Sequence, residues 1–172
     1  NGLTAGGYTD KTDIQDNGYD GYHSWADPGE LSPYSRSSYL WNERKSPLKP
    51  EIVFEAGNRA VSPAKTEAVA GLPSLSLLST GSDVAGSPFE PFWATSAAAA
   101  QGARMAAQIA AEHPTYWPET IRALMVHSAD WTAPMRIQLN ANNKTGRAEL
   151  VRRFGYGVPS LERARASAQS HL

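Results

Sequence analysis

The chain has 172 residues, of which 41% are hydrophobic and 19% charged, and its formal net charge is −1. This length fits one domain, or a large part of one, with a buried core. The near-zero charge gives no reason to expect nucleic acid or a membrane surface as a partner, and no apolar run approaches the ~18 residues that a bilayer span requires. The absence of cysteine excludes disulfides, thiol catalysis and cysteine-based zinc sites.

The sequence leaves the cellular compartment open. It shows no signal-peptide pattern, and it begins at Asn1 rather than Met, so we expect the native N-terminus to be missing. The lack of cysteine and of any targeting segment slightly favours the cytoplasm. The histidines show no metal-ligand spacing; they are His23, His113, His127 and His171.

The first half of the chain alternates short apolar segments with polar connections. Residues 2–9 predict a short strand in which small residues allow a close approach. Residues 10–48 predict a long insertion that is either functional or partly structured. The segments that follow predict, in order, a buried strand at 49–55, a polar connection at 56–71, a strand or extended arm at 72–80 and a loop at 81–91.

The second half is mainly helical in pattern. An alanine-rich helix is predicted from about residue 96 to 113, and Pro118 opens a second one that runs to about 128. Residues 131–153 indicate a polar excursion, and 154–159 a glycine-rich turn. Ser160 can cap a last helix at 161–170. This mixture of strands and helices predicts an α/β fold with parallel pairing.

Ser96 stands where an irregular segment turns into the alanine-rich helix. The free N–H groups and the positive dipole at a helix start can stabilise the oxyanion that forms when a serine attacks a carbonyl. The simpler interpretation is that Ser96 is only the N-cap of this helix. The segment alone leaves both interpretations open.

Several motifs, in the right chain order, resemble those of the subtilisin-like serine peptidases, the subtilases. Ala94-Thr95-Ser96-Ala97-Ala98 resembles the Gly-Thr-Ser-x-Ala motif, whose serine is the nucleophile at the start of a buried central helix. Residues 3–7 and 48–53 resemble two strands of the family, and residues 34–38 resemble its Ser-rich region. Residues 118–125 resemble the helix that packs on the serine helix, and residues 154–158 the closing Gly-x-Gly turn.

The resemblance implies that residues 1–172 are the C-terminal portion of a subtilase catalytic domain, with a long insertion at about 10–48. The implied fold is a partial subtilisin-like α/β fold, in which parallel strands pack against the buried serine helix and a following helix. Ser96 would be the nucleophile and its own backbone N–H an oxyanion donor, with Ala94, Thr95 and Ala97 as supporting residues of the motif.

The implied activity is that of a serine endopeptidase that needs no cofactor and acts on proteins or peptides. In the family the triad Asp and His and the oxyanion Asn precede the strand that residues 3–7 resemble. We therefore expect this chain to lack them, to depend on the missing N-terminal part of the same domain, and to be nearly inactive in isolation.

Four departures from the family pattern bear on this interpretation. Ala94 replaces the motif glycine and adds a methyl group where the backbone turns tightly. This substitution supports an alternative function, that of a catalytically silent subtilase-fold module for binding or assembly. Ala100 and Gln101 replace a proline and a histidine, and both are good helix formers. The insertion is longer than in compact subtilases, which is typical of a divergent bacterial-type branch.

Other side chains allow functional roles, but simpler interpretations exist for each. His23 could be a catalytic base, although a solvated loop histidine is the simpler interpretation. His127 could also be a base, although a partly buried, hydrogen-bonded histidine is the simpler interpretation. Asp83 and Asp130 suit loop or capping carboxylates. One cluster of acidic residues suggests a calcium-binding site but lacks the ligand spacing of an EF-hand loop, so it predicts a solvated acidic insertion instead. Its members are Asp10, Asp13, Asp16 and Asp20.

Two further expectations concern surfaces. The aromatic residues of the insertion either cover a substrate groove or pack the insertion onto its own domain; they are Tyr19, Tyr22, Trp25, Tyr34, Tyr39 and Trp41. A truncated parallel sheet would leave an exposed edge, through which the chain could self-associate.

Overall fold

A computed structural model describes residues 2–41 and 46–169 of the chain. The strands are β1 Ala5–Thr9, β2 His23–Ser24, β3 Glu30–Leu31, β4 Ile52–Glu55, β5 Ala60–Val61, β6 Ala68–Val69, β7 Leu77–Asp83 and β8 Ser87–Phe92. The helices are α1 Ala94–Glu112, α2 Pro118–His127, α3 Ala133–Gln138, α4 Lys144–Phe154 and α5 Leu161–Gln169. His171 and the predicted end of the last helix at 170 lie outside the described residues.

A parallel pair of strands forms the centre of the fold. β1 runs alongside β4 from the pair Ala5 and Ile52 to the pair Tyr8 and Glu55, and β3 joins the other edge of β1 in the antiparallel direction. The small residues of β1 are needed here, since a Cβ on Gly7 would lie 2.4 Å from that of Ala56. The predicted α/β fold with parallel pairing is confirmed.

Helices cover both faces of this sheet because β4 is apolar on both sides. On one face its side chains meet α1, α2 and α5 in a core cluster, which includes Ile52, Phe54, Met105, Ile109, Met125 and Ala164. On the other face Val53 meets α3 and α4 in a second cluster with Met135, Leu150 and Phe154. The sheet is therefore the middle layer of three.

Helix α1 is buried along one side only. Ala98, Met105 and Ile109 face the sheet and are almost fully buried. The opposite side is exposed to solvent and is lined by small side chains, at Ala99, Ala100, Ala103 and Ala107. The serine helix is thus half-exposed in this structure, and not buried all round as the resemblance implies, because none of the described elements packs against this alanine face.

The predicted loop at 81–91 is wrong. β7 and β8 form an antiparallel hairpin in which Leu78 lies opposite Pro91 and Thr80 opposite Phe89. Proline and glycine made this segment look irregular in sequence, but proline is tolerated in a strand whose other edge is unpaired. The hairpin is largely exposed and leads directly into α1.

The polar excursion predicted at 131–153 is also wrong, because it contains α3 and α4. The hydroxyl of Thr132 accepts a hydrogen bond from the Met135 N–H at 3.3 Å and caps α3. The side chain of Asn143 accepts one from the Gly146 N–H at 2.7 Å and caps α4. The asparagine that indicated a turn is thus the N-cap of a helix.

The insertion at 10–48 is partly structured, since it contributes β2 and β3. Asn58, which is fully buried, fastens it to the segment after β4. The Asn58 amide nitrogen donates to the carbonyls of Lys11 at 2.9 Å and Ala26 at 2.8 Å, and its oxygen accepts from the Ala26 N–H at 3.2 Å. A buried amide with its donors and acceptor satisfied holds the start of the insertion in one position.

None of the helices within the described ranges combines the length and the apolar character that a membrane crossing demands.

Glu51 joins the beginning of β4 to two neighbouring elements. Its carboxylate pairs with Lys49 at 2.8 Å and with Arg122 of α2 at 2.7 Å, and it accepts a hydrogen bond from the Thr4 N–H. Partial burial alone would raise the pKa of this carboxyl, but the Lys49 ammonium and the Thr4 amide outweigh it and hold the pKa of Glu51 below its ordinary value.

Glu51→Gln is expected to flatten the acid limb of the stability curve. A carboxyl whose pKa is lowered by folding stabilises the protein fully above its unfolded pKa of about 4.3, and this contribution is lost as the pH falls through the lower folded pKa. Urea unfolding from pH 6 to pH 3 should show the difference between wild type and variant shrinking by about 1 kcal/mol. Equal shrinkage in the exposed-site control Glu119→Gln would show that only net charge matters.

Candidate active site

Helix α1 begins beside the carboxyl end of β4. The Ala94 N–H donates to the carbonyl of Ala56, one residue beyond β4, at 2.8 Å. Ala94 has φ 66°, a left-handed conformation that costs an L-residue about 1–2 kcal/mol. The backbone therefore makes the tight turn that suits glycine, although an alanine occupies the position.

Ser96 is the third residue of α1 and is exposed. The N-cap position belongs to Trp93, whose side chain makes no capping bond, so the interpretation of Ser96 as the N-cap is wrong. Among residues 2–41 and 46–169 the Ser96 hydroxyl has no hydrogen-bond partner. The hydroxyl therefore faces solvent beside the first-turn N–H groups and does not cap the helix.

The other residues of the motif explain how the helix comes close to the sheet. Thr95 is half-buried, and Ala97 and Ala98 are buried beneath it. One turn further on, a Cβ at Gly102 would lie 3.2 Å from the Phe54 ring. Small side chains at these positions let α1 lie directly on β4.

Gln101 is a residue of this region whose role sequence reasoning missed. Its side-chain amide donates to the carbonyl of Glu55 at 2.7 Å and to that of Ala97 at 3.1 Å. From sequence it counted only as a good helix former. Its place in the motif, where the subtilases carry another nitrogen-bearing side chain, is the signal that could have identified it.

The turn that follows β4 is itself fixed from several sides. The Glu55 carboxylate accepts from the N–H groups of Gly57 and Asp10, each at 2.7 Å. The Ser32 hydroxyl donates to the Gly57 carbonyl at 2.7 Å. Gly57 has φ 76°, and a Cβ there would lie 2.7 Å from the Leu75 carbonyl oxygen. We call residues 55–58 the platform, because α1 is attached to it.

Two aromatic side chains flank the platform and α1. The Trp93 ring lies flat on Gly71, where a Cβ would come within 2.8 Å of it, and is 36% exposed. Tyr8 lies opposite Glu55 in the sheet. Its burial, with the nearby Asp10 and Glu55 carboxylates, raises the pKa of Tyr8 to about 12, so this phenol stays neutral near pH 7.

None of the described histidines lies beside Ser96. His127, at the end of α2, is exposed rather than partly buried and hydrogen-bonded as its simpler interpretation proposed. His23 lies exposed on β2, opposite Val61. Within the part of the chain that the structure describes, neither a histidine nor a carboxylate lies within hydrogen-bond distance of the Ser96 hydroxyl.

Three of the acidic candidates form hydrogen bonds or ion pairs with neighbouring groups. Asp83 accepts from the Gly86 N–H at 2.9 Å in the hairpin turn, and Asp130 pairs with Arg136 and with Arg163. Asp16 of the acidic cluster accepts from the Ser74 hydroxyl. Over the described residues, no three histidine or acidic side chains come together in a group that could hold a metal ion.

The aromatic residues of the insertion mostly pack onto the domain. Tyr19 and Tyr22 meet edge to face with ring centroids 5.2 Å apart and cover the cluster around Leu75. Arg59 lies over the Tyr34 ring and Arg153 over the Tyr39 ring, at 5.0 and 3.9 Å. Three of the six are exposed: Trp25 at 59%, Trp41 at 46% and Tyr39 at 37%.

The chain thus has an α/β fold in which a helix attached at the carboxyl edge of a parallel strand pair carries an exposed serine in its first turn. The model of the subtilase family matches residues 1–157, and the chain belongs to this family of serine peptidases. Comparisons with curated proteins and with solved structures gave no significant match.

Ala94→Gly is expected to leave stability unchanged or to raise it by up to ~1 kcal/mol. Glycine removes the strain of the left-handed conformation, and its greater chain entropy in the unfolded state offsets part of that gain. The same substitution at Ala103, exposed in the interior of α1, should cost ~1 kcal/mol. Urea unfolding of both variants measures the contrast, and equal losses would contradict strain at Ala94.

Proposed function

We propose that Ser96 is the nucleophile of a subtilisin-like serine endopeptidase, of which this chain is the C-terminal portion. The observation that carries the proposal is the exposed Ser96 hydroxyl, which has no hydrogen-bond partner among the described residues and lies in the first turn of a helix attached to the carboxyl end of β4. A hydroxyl without a structural role, beside free N–H groups, suits attack on a carbonyl.

In the proposed reaction the Ser96 oxygen attacks a peptide carbonyl carbon, and its proton passes to a histidine. The resulting oxyanion accepts a hydrogen bond from the backbone N–H of Ser96. Collapse of the intermediate breaks the C–N bond, the histidine protonates the leaving amine, and water then hydrolyses the acyl-enzyme. The substrate is a protein or peptide, and no cofactor takes part.

The histidine, the aspartate that orients it and the oxyanion asparagine would come from an N-terminal part of the same domain. Two observations support this. The described residues place no base beside Ser96, and α1 exposes a face of small side chains at Ala99, Ala103 and Ala107 that a further layer could cover. A serine hydroxyl without a base is a weak nucleophile, so the isolated chain would be close to inactive.

Labelling by a fluorophosphonate probe tests the proposal. In the full-length protein, wild type should be labelled at Ser96, whereas Ser96→Ala should not, with peptide mapping to locate the adduct. The isolated chain should react far more slowly than the full-length protein because it lacks the base. An unlabelled Ser96 in a folded full-length protein would overturn the peptidase proposal.

A catalytically silent subtilase-fold module, used for binding or assembly, is the second candidate. Ala94 in place of the motif glycine favours it. The positive φ of Ala94 weakens this argument, because the tight turn is made despite the methyl group. Full-length protein that folds, carries the upstream Asp and His motifs, and still neither reacts with the probe nor cleaves peptides would favour the silent module.

A further inference from the structure

We infer that Gln101 is a positioning residue, whose side chain fixes the orientation of the first turn of α1 and thereby that of the Ser96 hydroxyl. The inference rests on the proposed function of Ser96. It begins from the amide of Gln101, which donates to the carbonyl of Glu55 at 2.7 Å.

Two hydrogen bonds attach the start of α1 to successive carbonyls of the platform. The Ala94 N–H reaches the Ala56 carbonyl at 2.8 Å, and the Gln101 amide reaches that of Glu55. Apolar packing of α1 on β4 is not directional, so with one bond alone the start of the helix could shift on the strand. A second bond, from a residue about 10 Å further along the helix axis, removes this freedom.

The direction of the Gln101 side chain makes this second attachment possible. Side chains in an α-helix tilt toward the N-terminus, so the Gln101 amide extends back over the preceding turn. It donates to the Ala97 carbonyl at 3.1 Å on the way. The half-buried amide therefore spans the stretch of helix that contains Ser96 and connects it to the strand.

The platform to which Gln101 donates is itself held by hydrogen bonds, so a bond to it fixes the position of the start of α1. The Glu55 carboxylate accepts from the N–H groups of Gly57 and Asp10, and the Gly57 carbonyl accepts from Ser32. In acyl transfer the nucleophile must lie within about 0.5 Å of its productive place, and an error of ~1 Å can cost about 100-fold in rate. A residue that sets the helix orientation is expected to act on kcat.

The experiment compares Gln101→Leu with Gln101→His in the full-length protein. Leucine keeps the size of the side chain and removes the donor, so kcat for peptide cleavage should fall about 10–100-fold while KM stays within about twofold. Histidine keeps a nitrogen donor and should recover most of the lost kcat. Gln108→Leu is the matched control, because Gln108 lies on the same helix with its side chain unbonded among the described residues, and it should retain wild-type kcat.

Amide hydrogen exchange of the chain provides a readout that does not depend on activity. Gln101→Leu should speed exchange of the Ala94 amide, the first-turn N–H that is hydrogen-bonded to the Ala56 carbonyl, while residues 105–112 keep their protection. Unchanged kcat per folded molecule and unchanged exchange in Gln101→Leu would overturn the inference. If instead wild-type Ser96 remains unlabelled and the first-turn exchange still responds to Gln101→Leu, the peptidase proposal fails and the attachment stands as a structural one.

Discussion

Replacing Ser96 with alanine is expected to lower kcat/KM of the full-length peptidase by about 10⁴-fold or more, with little change in stability. Ser96 is the proposed nucleophile, which the remaining groups cannot replace, and triad knockouts typically cost this much. The exposed hydroxyl has no partner among the described residues, so its loss should change the free energy of unfolding by less than ~0.5 kcal/mol. Peptide hydrolysis and thermal unfolding measure the two effects.

Ser82→Ala is the control for this variant, since Ser82 is an exposed serine of the neighbouring hairpin. It should retain both activity and stability. Two outcomes for Ser96→Ala would contradict the expectation. Residual activity near that of wild type would remove Ser96 from the reaction, and a loss of several degrees in Tm would show that its hydroxyl contributes to folding.

Gly155→Ala is expected to destabilise the protein by more than ~3 kcal/mol, the largest loss of stability that we predict for a single methyl group. Gly155 follows α4 with φ 59° and ψ −133°, a conformation that requires glycine. A Cβ there would lie within 2.2 Å of the Glu51 carbonyl oxygen, which is backbone and cannot move aside cheaply. Urea unfolding or the folded fraction on expression measures the loss.

Gly18→Ala separates the two causes of this effect. Gly18 also has a positive φ, 87°, but a Cβ there meets nothing within 4 Å. Its replacement should therefore cost only the backbone strain, about 1–2 kcal/mol. If Gly155→Ala costs no more than Gly18→Ala, the close contact between Gly155 and the Glu51 carbonyl is not as tight as the structure shows.

The elements with a strong periodic or capping signal could be predicted from sequence. The buried strand at 49–55 contains β4, and the predicted helices at 96–113 and 118–128 correspond to α1 and α2. Ser160 caps the last helix as expected, with its hydroxyl accepting from the Arg163 N–H at 3.3 Å. In each case the local preference agrees with the packing, which is why local reasoning was sufficient.

The elements that were missed depend on tertiary contacts that local preference does not encode. β8 contains two prolines and exists because β7 pairs with one of its edges. α3 and α4 each bury few side chains, among them Met135 and Leu150, and their polar remainder is typical of a loop. Packing against Val53 decides their structure, and no local pattern reports it.

In the candidate site, too, the features that a local motif encodes could be predicted, and those that depend on tertiary contacts could not. The position of Ser96 in the first turn follows from the motif. That its hydroxyl has no partner among the described residues, and that Trp93 holds the N-cap position, is visible only in the structure. Gln101 is the clearest case, because helix propensity describes how well a residue fits a helix and says nothing about which carbonyl its side chain reaches.

The parallel pairing of β1 with β4 also bears on the stage of folding at which the start of α1, with Ser96, becomes attached to the platform. Helix α1 can form from local hydrogen bonds in about a microsecond. Ala5 and Ile52 lie side by side only after the intervening chain has closed into a loop, which is entropically costly and slow. The platform is an extension of β4, so the helix start gains its anchoring carbonyls at this late step. The orientation of Ser96 is therefore set only when residues far apart in sequence have come together, and it is a property of the completed fold.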